Sequence, residues 1–321
     1  MKLSVIILAA GKGTRMKSEI LKVIHQVAGK PIVNYVVDTV LKLGVHQIYM
    51  VVGHQAESVK RQFSSDLITF VEQKEQLGTG HAVMQVAPKL SPEDETIIVM
   101  AGDCPLIQLE TLRSLLEKHV ESNSSATILT TNMDDPSTYG RILRGKMRTV
   151  IGIKEFKDCS NEEKEIKEIN TGVYCFKKED LVNSLKQINR NNTQNEYYLT
   201  DVIHILKDQG KHVSAYCTPY SNQALGINTR MDLAKISSII YQQNNQYFMQ
   251  EGVTIIDPAT TFIDSTVKIG HDTIVYPFSM ILGNTVIGKD CQVGPNAFVQ
   301  NSTIEDHSLI PAFSNLVGVS S

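Results

Sequence analysis

Residues 3–10, LSVIILAA, form an unbroken apolar run closed by glycine, the pattern of a strand buried on both faces of a parallel sheet. PIVNYVVDTVLKLGV follows, with Pro31 at its head, apolar residues at helical spacing and Gly44 at its end, which predicts a helix. QIYMVVG, ITFVEQ, TIIVMAGDCPLI and SATILTT read as further strands, with SVKRQF and LETLRSLLEKHV as helices between them. INTGVYCF and HVSAYC add two strands, and EYYLTDVIHILKDQG a helix ended by Gly210. Such alternation predicts an α/β fold with a doubly wound, Rossmann-like sheet. Ligands of these sheets bind beyond the carboxyl ends of the strands, where strand order reverses. Gly11, Gln73 and Asp103 each stand just past a strand end.

From Asp232 to Gly252 the pattern is that of one helix, and beyond it the period changes. Ile263, Ile269, Val275, Ile281, Ile287, Val293 and Val299 recur every six residues, with glycine following at Gly270, Gly288 and Gly294. A hexad puts one inward aliphatic on each flat side of a triangular coil, so three hexads make one turn of a left-handed parallel β-helix. At about 18 residues per coil the segment supplies about two to three coils, near the minimum for a stable repeat. The register breaks at Glu305, and the tail LIPAFSNLVGVSS is expected to cap the last coil or fray.

The length of 321 residues allows a full-sized core and a second, smaller domain. A hydrophobic content of 42%, 20% charged residues and no tryptophan describe an ordinary soluble protein and leave function open. The net charge of -3 argues against nucleic acid as partner, since such binding rests on a basic surplus. Cys104, Cys159, Cys175, Cys217 and Cys291 form no C-x-x-C pair and have no histidine at zinc-ligand spacing, so a reduced, cytoplasmic setting is expected. No apolar run reaches the roughly 18 residues that span a bilayer, so no stable membrane insertion is expected.

The loop LAAGKGTRMKSEILKV lacks the Walker spacing, and Met16 stands where a dinucleotide fingerprint has its third glycine. On the G-x-G pattern alone it is equally a plain strand-to-helix turn. Arg15 and Lys22 change the balance, because backbone N–H groups, a guanidinium fork and an ammonium can then converge on one polyanion. Gly11 and Gly13 let the backbone approach a nucleotide closely, while the two cations can neutralise charge on a leaving pyrophosphate. That is nucleotidyl-transfer chemistry.

LAAGKGTRM, VEQKEQLGTGHAV, GDCPLI, YGRI, EINTGVY, NEYYLTDV and LGINTRMDLA, in this order, resemble the N-acetylglucosamine-1-phosphate uridyltransferases of bacterial cell-wall precursor synthesis, a bifunctional uridyltransferase/acetyltransferase family. The resemblance covers nearly the whole chain, including the onset of the β-helix at GVTIIDP. It implies a nucleotidyltransferase domain over 1–229, a linker helix over 230–251 and a short left-handed β-helix over 252–321. It also implies that UTP and N-acetylglucosamine 1-phosphate are joined, with Mg²⁺, into UDP-N-acetylglucosamine and pyrophosphate, and that the chain is a homotrimer through its β-helix.

The resemblance assigns residues as well. The backbone of Leu8, Ala9, Ala10, Gly11 and Gly13 would contact the nucleotide, while Gln73 and the Gly78–Thr79 turn would read the uracil. Asp103 and Asn228 would be the Mg²⁺ ligands, a small oxygen set that suits a cation keeping phosphates and waters. Gly140, Glu155, Asn170, Tyr198 and Thr200 would hold the sugar end, and Arg15 and Lys22 would stabilise the leaving pyrophosphate. The implied mechanism is in-line attack by the sugar phosphate oxygen on the α-phosphorus of UTP, without a covalent enzyme intermediate. His54 and His81 read as structural, since the attacking oxygen is already ionised and needs no base.

Each of these residues also has a plainer reading. Gln73 could be a solvated strand end, Asp103 an Asx turn before Pro105, Asn228 an N-cap, Glu155 a surface acid and Asn170 a turn flanking a strand. The chain departs from the family at Leu21, where many relatives have a proline that would stiffen the loop before Lys22. Ala101 and Cys104, on either side of Gly102 and Asp103, are milder departures. The coils in which longer relatives carry an acetyl-transferring site with a catalytic histidine are absent from the sequence, so uridylyl transfer without acetyl transfer is expected. Two rival functions stand beside it: a nucleotidyltransferase for another sugar 1-phosphate or for dTTP, and a non-catalytic UDP-sugar sensor or β-helix scaffold.

Overall fold

The structure is a computed structural model that describes residues 2–320. The chain runs through β1 (Leu3–Ala9), a small hairpin of β2 (Gln26–Val27) and β3 (Lys30–Pro31), α1 (Ile32–Lys42), β4 (Gln47–Val52), α2 (Ala56–Lys60) and β5 (Ile68–Glu72). It continues with α3 (Thr79–Val86), β6 (Thr96–Ala101), α4 (Leu109–Glu121), β7 (Ala126–Asn132), β8 (Arg141–Arg144) and β9 (Val150–Lys154). Then come α5 (Asn161–Lys164), β10 (Glu168–Lys177), α6 (Lys178–Leu185), α7 (Asp201–Asp208), β11 (Val213–Thr218) and α8 (Arg230–Gln250). Two compact units result: one takes in the chain up to Ile24 and Ile32–Gly226, the other His25–Pro31 and the chain from Ile227 on.

The first unit is built on a nine-stranded sheet of order β11-β7-β10-β6-β1-β4-β5, with β8 and β9 attached at β10. β1 pairs in parallel with both β4 and β6, which explains its continuous apolar run. Alternate residues of β1 serve opposite layers. Val5, Ile7 and Ala9 pack with Val33, Val36 and Val37 of α1 and Leu112 and Leu115 of α4, while Ile6 packs with Val83 of α3, Leu181 of α6 and Val202 of α7. Strand order reverses at β1, since β4 and β5 lie on one side of it and β6 on the other. The sheet is mixed rather than wholly parallel, because β10 runs antiparallel to β6 and β7. The helix expected from EYYLTDVIHILKDQG forms only from Asp201, since Tyr197 and Leu199 are hydrogen-bonded to Leu77 and to Thr79 and Gly80 in the first turn of α3.

In the second unit α8 opens with a capping box, in which Thr229 accepts from Asp232 N and Asp232 caps the Thr229 N–H. Farther along α8, Asn244 and Asn245 donate to Ile263 O and Thr261 O at 2.8 Å. Eleven short strands then stack in three columns of parallel pairs, as a left-handed β-helix of hexapeptides requires. Phe262 lies beside Met280, and Met280 beside Phe298, eighteen residues apart each time. Two expectations change here. The coils begin at Thr254 and reach almost four, and the tail neither caps nor frays, since Leu309–Ile310 and Asn315–Val317 continue two columns. The break near Glu305 is a shortening of the coil to seventeen residues, which sets Phe298 beside Asn315 and keeps Ile304 and Ile310 inside.

Candidate active site

The carboxyl ends of β1, β5 and β6 open onto one cavity of about 380 Å³, lined by Leu8, Ala9, Ala10, Gly11, Lys22, Gln73, Gly78, Thr79 and Asp103 among others. It lies where the strand order reverses, as expected for a doubly wound sheet. Backbone bonds align the three strand ends: Gly102 N donates to Leu8 O at 2.9 Å and Gln73 N to Val52 O at 2.8 Å. Lys22 Nζ donates to Asp103 Oδ2, with each side chain about one-seventh exposed (14% and 15%). A cation and an anion thus meet at the floor of the cavity.

The path of Lys22 explains the second glycine of the loop. Gly13 has φ +61°, and a Cβ there would stand 2.6 Å from Lys22 Cβ, so the loop needs a residue with no side chain in a left-handed conformation. Leu21, in place of the family's proline, packs against the apolar layer below the sheet. The segment before Lys22 is therefore anchored by burial instead of by ring stiffness. Arg15 sits exposed on a short 3-10 turn, Thr14–Met16, whose Met16 is fully buried, and it is not among the lining residues of the cavity.

On the opposite wall Gln73, 4% exposed, donates from Nε2 to Gly78 O at 3.1 Å. Gly78 (φ +110°) would place a Cβ 2.5 Å from Tyr197 O, so the turn runs tightly against that strand-like segment. Gly80 N donates to Tyr197 O and Tyr197 N to Leu77 O, both at 2.8 Å, and Leu199 N donates to Thr79 Oγ1 at 3.1 Å. The motifs LGTGHA and EYYLTD are therefore stitched together. Gln76, Val23, Ala82 and Glu196 line the cavity without having been singled out from sequence, and so does Ala101, noted there only as a departure from the family. Gln76 Nε2 donates to Ala10 O at 2.7 Å, across the spot that a Cβ on Gly53 would fill. A second glutamine three residues after Gln73, inside the same motif, was the available signal.

Residues 196–200 lead from this cavity to a smaller one of about 230 Å³, lined by Glu155, Tyr198, Thr200, Asp201 and His204 among others. Thr200 Oγ1 donates to Glu155 Oε1 at 3.3 Å, and a Cβ on Gly140 would lie 3.5 Å from Glu155 Oε2. Burial raises the Glu155 carboxyl above its ordinary range; the Thr200 bond pulls the other way, and Asp158, Asp201 and Glu196 add to the rise. Buried Arg141 donates to the carbonyls of Tyr139, Ser137 and Lys164, which holds the loop ahead of Gly140. Asn170 N donates to Gly140 O at 2.9 Å. The Asn170 amide, however, is engaged inside the fold, donating to Tyr174 Oη at 2.6 Å and accepting from Gly172 N at 3.2 Å.

Of the residues expected to act, the structure brings together Leu8, Ala9, Ala10, Gly11, Lys22, Gln73, Gly78, Thr79 and Asp103 around one cavity, and Glu155, Tyr198 and Thr200 around the other. Asn228 belongs to the second unit, where its N–H donates to Asp232 Oδ2 at 3.0 Å. Among the described residues no group of three or more His, Cys, Asp or Glu is placed to hold a metal, and no helix is long and apolar enough to cross a membrane.

Comparison with known proteins agrees with this geometry. The nucleotidyl transferase family profile matches residues 4–245, and the bacterial transferase hexapeptide profile, six repeats, matches residues 266–301. A bifunctional protein GlmU of Geobacillus sp. (strain WCH70) is 49% identical over 95% of this chain and 66% of its own length. Those of Exiguobacterium sibiricum and Clostridioides difficile are 47% and 46% identical over 95% of this chain and 68% and 66% of theirs. The chain thus spans about two thirds of the length of these curated relatives. A crystal structure of UDP-glucose pyrophosphorylase complexed with UDP-glucose superposes with a TM-score of 0.63 over 76% of this chain and 100% of its own, at 17% identity, which speaks for the fold alone. With a sheet whose switch-point cavity is floored by a lysine–aspartate pair, hexapeptide coils after it, and relatives at this identity, the chain belongs to the nucleotidyl transferase family and groups there with the bifunctional GlmU proteins.

Proposed function

We propose that the chain transfers a uridylyl group from UTP to N-acetylglucosamine 1-phosphate, giving UDP-N-acetylglucosamine and pyrophosphate. The observation that carries this is the cavity at the strand switch point, where glycine backbone, Gln73 and the Lys22–Asp103 pair surround one space. The sugar phosphate oxygen attacks the α-phosphorus of UTP, the bond to the β-phosphate oxygen breaks, and pyrophosphate leaves with that electron pair. Leu8, Ala9, Ala10, Gly11 and Gly13 hold the nucleotide through their backbone, and Gln73, Gly78 and Thr79 face the base. Lys22 and Arg15 offset the charge that accumulates on the leaving group. Gly140, Glu155, Asn170, Tyr198 and Thr200 take the sugar.

Asp103 offers a hard cation a carboxylate that lines the cavity, with the Lys22 ammonium on Oδ2 as the charge the cation would share or displace. Asp103 is the residue of the first unit that would hold Mg²⁺, which when bound would supply charge neutralisation and alignment on the phosphates; Asn228, the second ligand implied by the family likeness, belongs to the other unit. The hexapeptide coils support association as a homotrimer, and a UTP substrate supports a cytoplasmic setting. A light-scattering mass of one 35.7 kDa chain would rule out the trimer.

The reaction is tested by pyrophosphate release from UTP and Mg²⁺ with a panel of sugar 1-phosphates. Release with N-acetylglucosamine 1-phosphate is the expected result. Release with glucose 1-phosphate alone would overturn the substrate, and release with none would favour a binding protein for UDP-sugars.

A further inference from the structure

Gln73 is nearly sealed, yet only one end of its amide is used within the fold. Nε2 donates to Gly78 O at 3.1 Å and stands 3.1 Å from His81 Nδ1. Oε1 takes no hydrogen bond from any described residue, and Gln73 lines both the cavity at the strand ends and a second one that it shares with Lys12, His54 and Gln76. Which way round an amide sits is decided by its hydrogen bonds. Gly78 O can only accept, whereas a neutral histidine donates from one ring nitrogen and accepts at the other.

His81 is held from two sides, by Tyr197 stacked with ring centroids 6.1 Å apart and by Gln85, whose Nε2 lies 3.1 Å from His81 Nε2 and 3.2 Å from His81 O. Two arrangements satisfy the ring. In the first, Nδ1 accepts from Gln73 Nε2, the proton sits on Nε2, and Gln85 turns its amide oxygen toward that proton. In the second, Nδ1–H donates to Gln73 Oε1 and the Gln73 NH2 points into the cavity. The second sets two acceptors, Oε1 and Gly78 O, at the 3.1 Å now spanned by a hydrogen bond. The first brings Gln85 Oε1 toward His81 O, now 3.2 Å from Gln85 Nε2, but Gln85 is half-buried and can swing its amide out to water, whereas Gln73, 4% exposed, cannot. The first arrangement therefore wins.

We infer that His81 is a positioning residue: together with the Gly78 carbonyl it locks the Gln73 amide with its oxygen toward the cavity, so that the site selects a base with a ring N–H, as in uracil, over one with a ring acceptor, as in cytosine. This rests on the proposal that Gln73 faces the base. His81 touches no substrate in this role; it sets the polarity of the group that does. A reversed amide would invert the preference, because the NH2 end matches the cytosine ring nitrogen.

The test compares UTP and CTP dissociation constants by calorimetry on the full chain, with kcat for UTP alongside. His81→Phe keeps the ring stacked on Tyr197 and removes the acceptor; His81→Leu serves if it does not fold; His81→Asn restores an acceptor, Oδ1, at the place of Nδ1. The Phe variant is expected to lower the UTP:CTP preference by about three- to tenfold, the scale of one lost hydrogen bond, with kcat at saturating UTP kept. The Asn variant is expected to recover most of it. A preference untouched in the Phe and Leu variants, while Gln73→Ala lowers it, would overturn the role of His81 and leave the base reading standing. Equal losses in the Asn and Phe variants would also overturn it, since ring shape and not the acceptor would then matter. A preference untouched in Gln73→Ala would remove the base reading, and the role of His81 with it.

Discussion

In the sheet unit Lys22 reaches Asp103 across 81 positions of sequence and Gln76 reaches Ala10 across 66, whereas in the coil unit Ile281 lies over Val299 only eighteen positions on. The first kind of contact places unlike groups together at a point; the second places like groups together along a line. Chemistry follows the first kind. In the sheet, strand ends deliver a lysine, a carboxylate, an amide and bare backbone to one cavity, each on its own element. In the coils each rung repeats the work of the rung below, and the polar groups inside are spent on the backbone, as where Thr273 Oγ1 donates to Gly288 O at 2.8 Å and Ser279 Oγ to Gly294 O at 2.9 Å.

The comparison breaks most sharply at the lysine. Lys22→Ala is expected to lower kcat for pyrophosphate release by about 10² or more, as for loss of one preorganised charge stabiliser. Gly13→Ala should approach that loss with Lys22 still present, because the added Cβ meets Lys22 Cβ at 2.6 Å. Near-normal turnover in both would remove the lysine from the mechanism. In the coil unit the matching change is Ile281→Ala, at a fully buried aliphatic. It is expected to cost about 2–5 kcal/mol in urea unfolding of the coils while leaving UTP affinity unchanged. An equal loss of UTP affinity would mean that the two units do not divide the work.

The smallest effect concerns pH. The folded chain holds the Glu155 proton above the ordinary value of 4.5, chiefly because burial penalises the carboxylate. The unfolded chain releases that proton first, so stability falls as pH rises from 4.5 to the raised folded value. Glu155→Gln should flatten this interval and gain on the parent at neutral pH, as read from melting temperatures across the range. Glu168 has the opposite sign. Burial raises it, but the bonds from Arg144 at 2.6 Å and from Thr130 at 2.7 Å outweigh that and hold it below its ordinary value, so its contribution is present at neutral pH and lost on acidification. A stability loss at neutral pH in Glu155→Gln would mean that its hydrogen bond outweighs its burial.

Most of the strands were legible because burial on both faces writes itself as an apolar run, and the coils because a period of six writes itself as aliphatics in register. Three things were not legible. The antiparallel direction of β10 leaves no mark in INTGVYCF, whose apolar residues suit either direction. The continuation of the coils past Glu305 was hidden by the loss of one residue, which shifts the period without ending it. Gln76 was hidden because its task is to bond a backbone carbonyl, Ala10 O, and a carbonyl has no letter in the sequence. Leu21 was legible only as the absence of proline, and its burial shows what replaces the stiffness. Of the candidate site, the glycines and Lys22 could be argued from chemistry alone, while Glu155, Tyr198 and Thr200 were reached through family likeness.

The shortened coil has a consequence of its own. Left-handed backbone recurs in three columns, at Asp272, Asp290 and His307, at Phe278, Asn296 and Phe313, and at Gly283, Asn301 and Gly318. Each column steps by eighteen and then by seventeen, so the lost residue is absorbed between corners and no column is broken. The ruler of this fold is the corner, with the six-residue count its usual spacing. Descendants of this sequence can therefore change length by single residues between corners and stay in phase, a freedom that a fixed hexad would deny them.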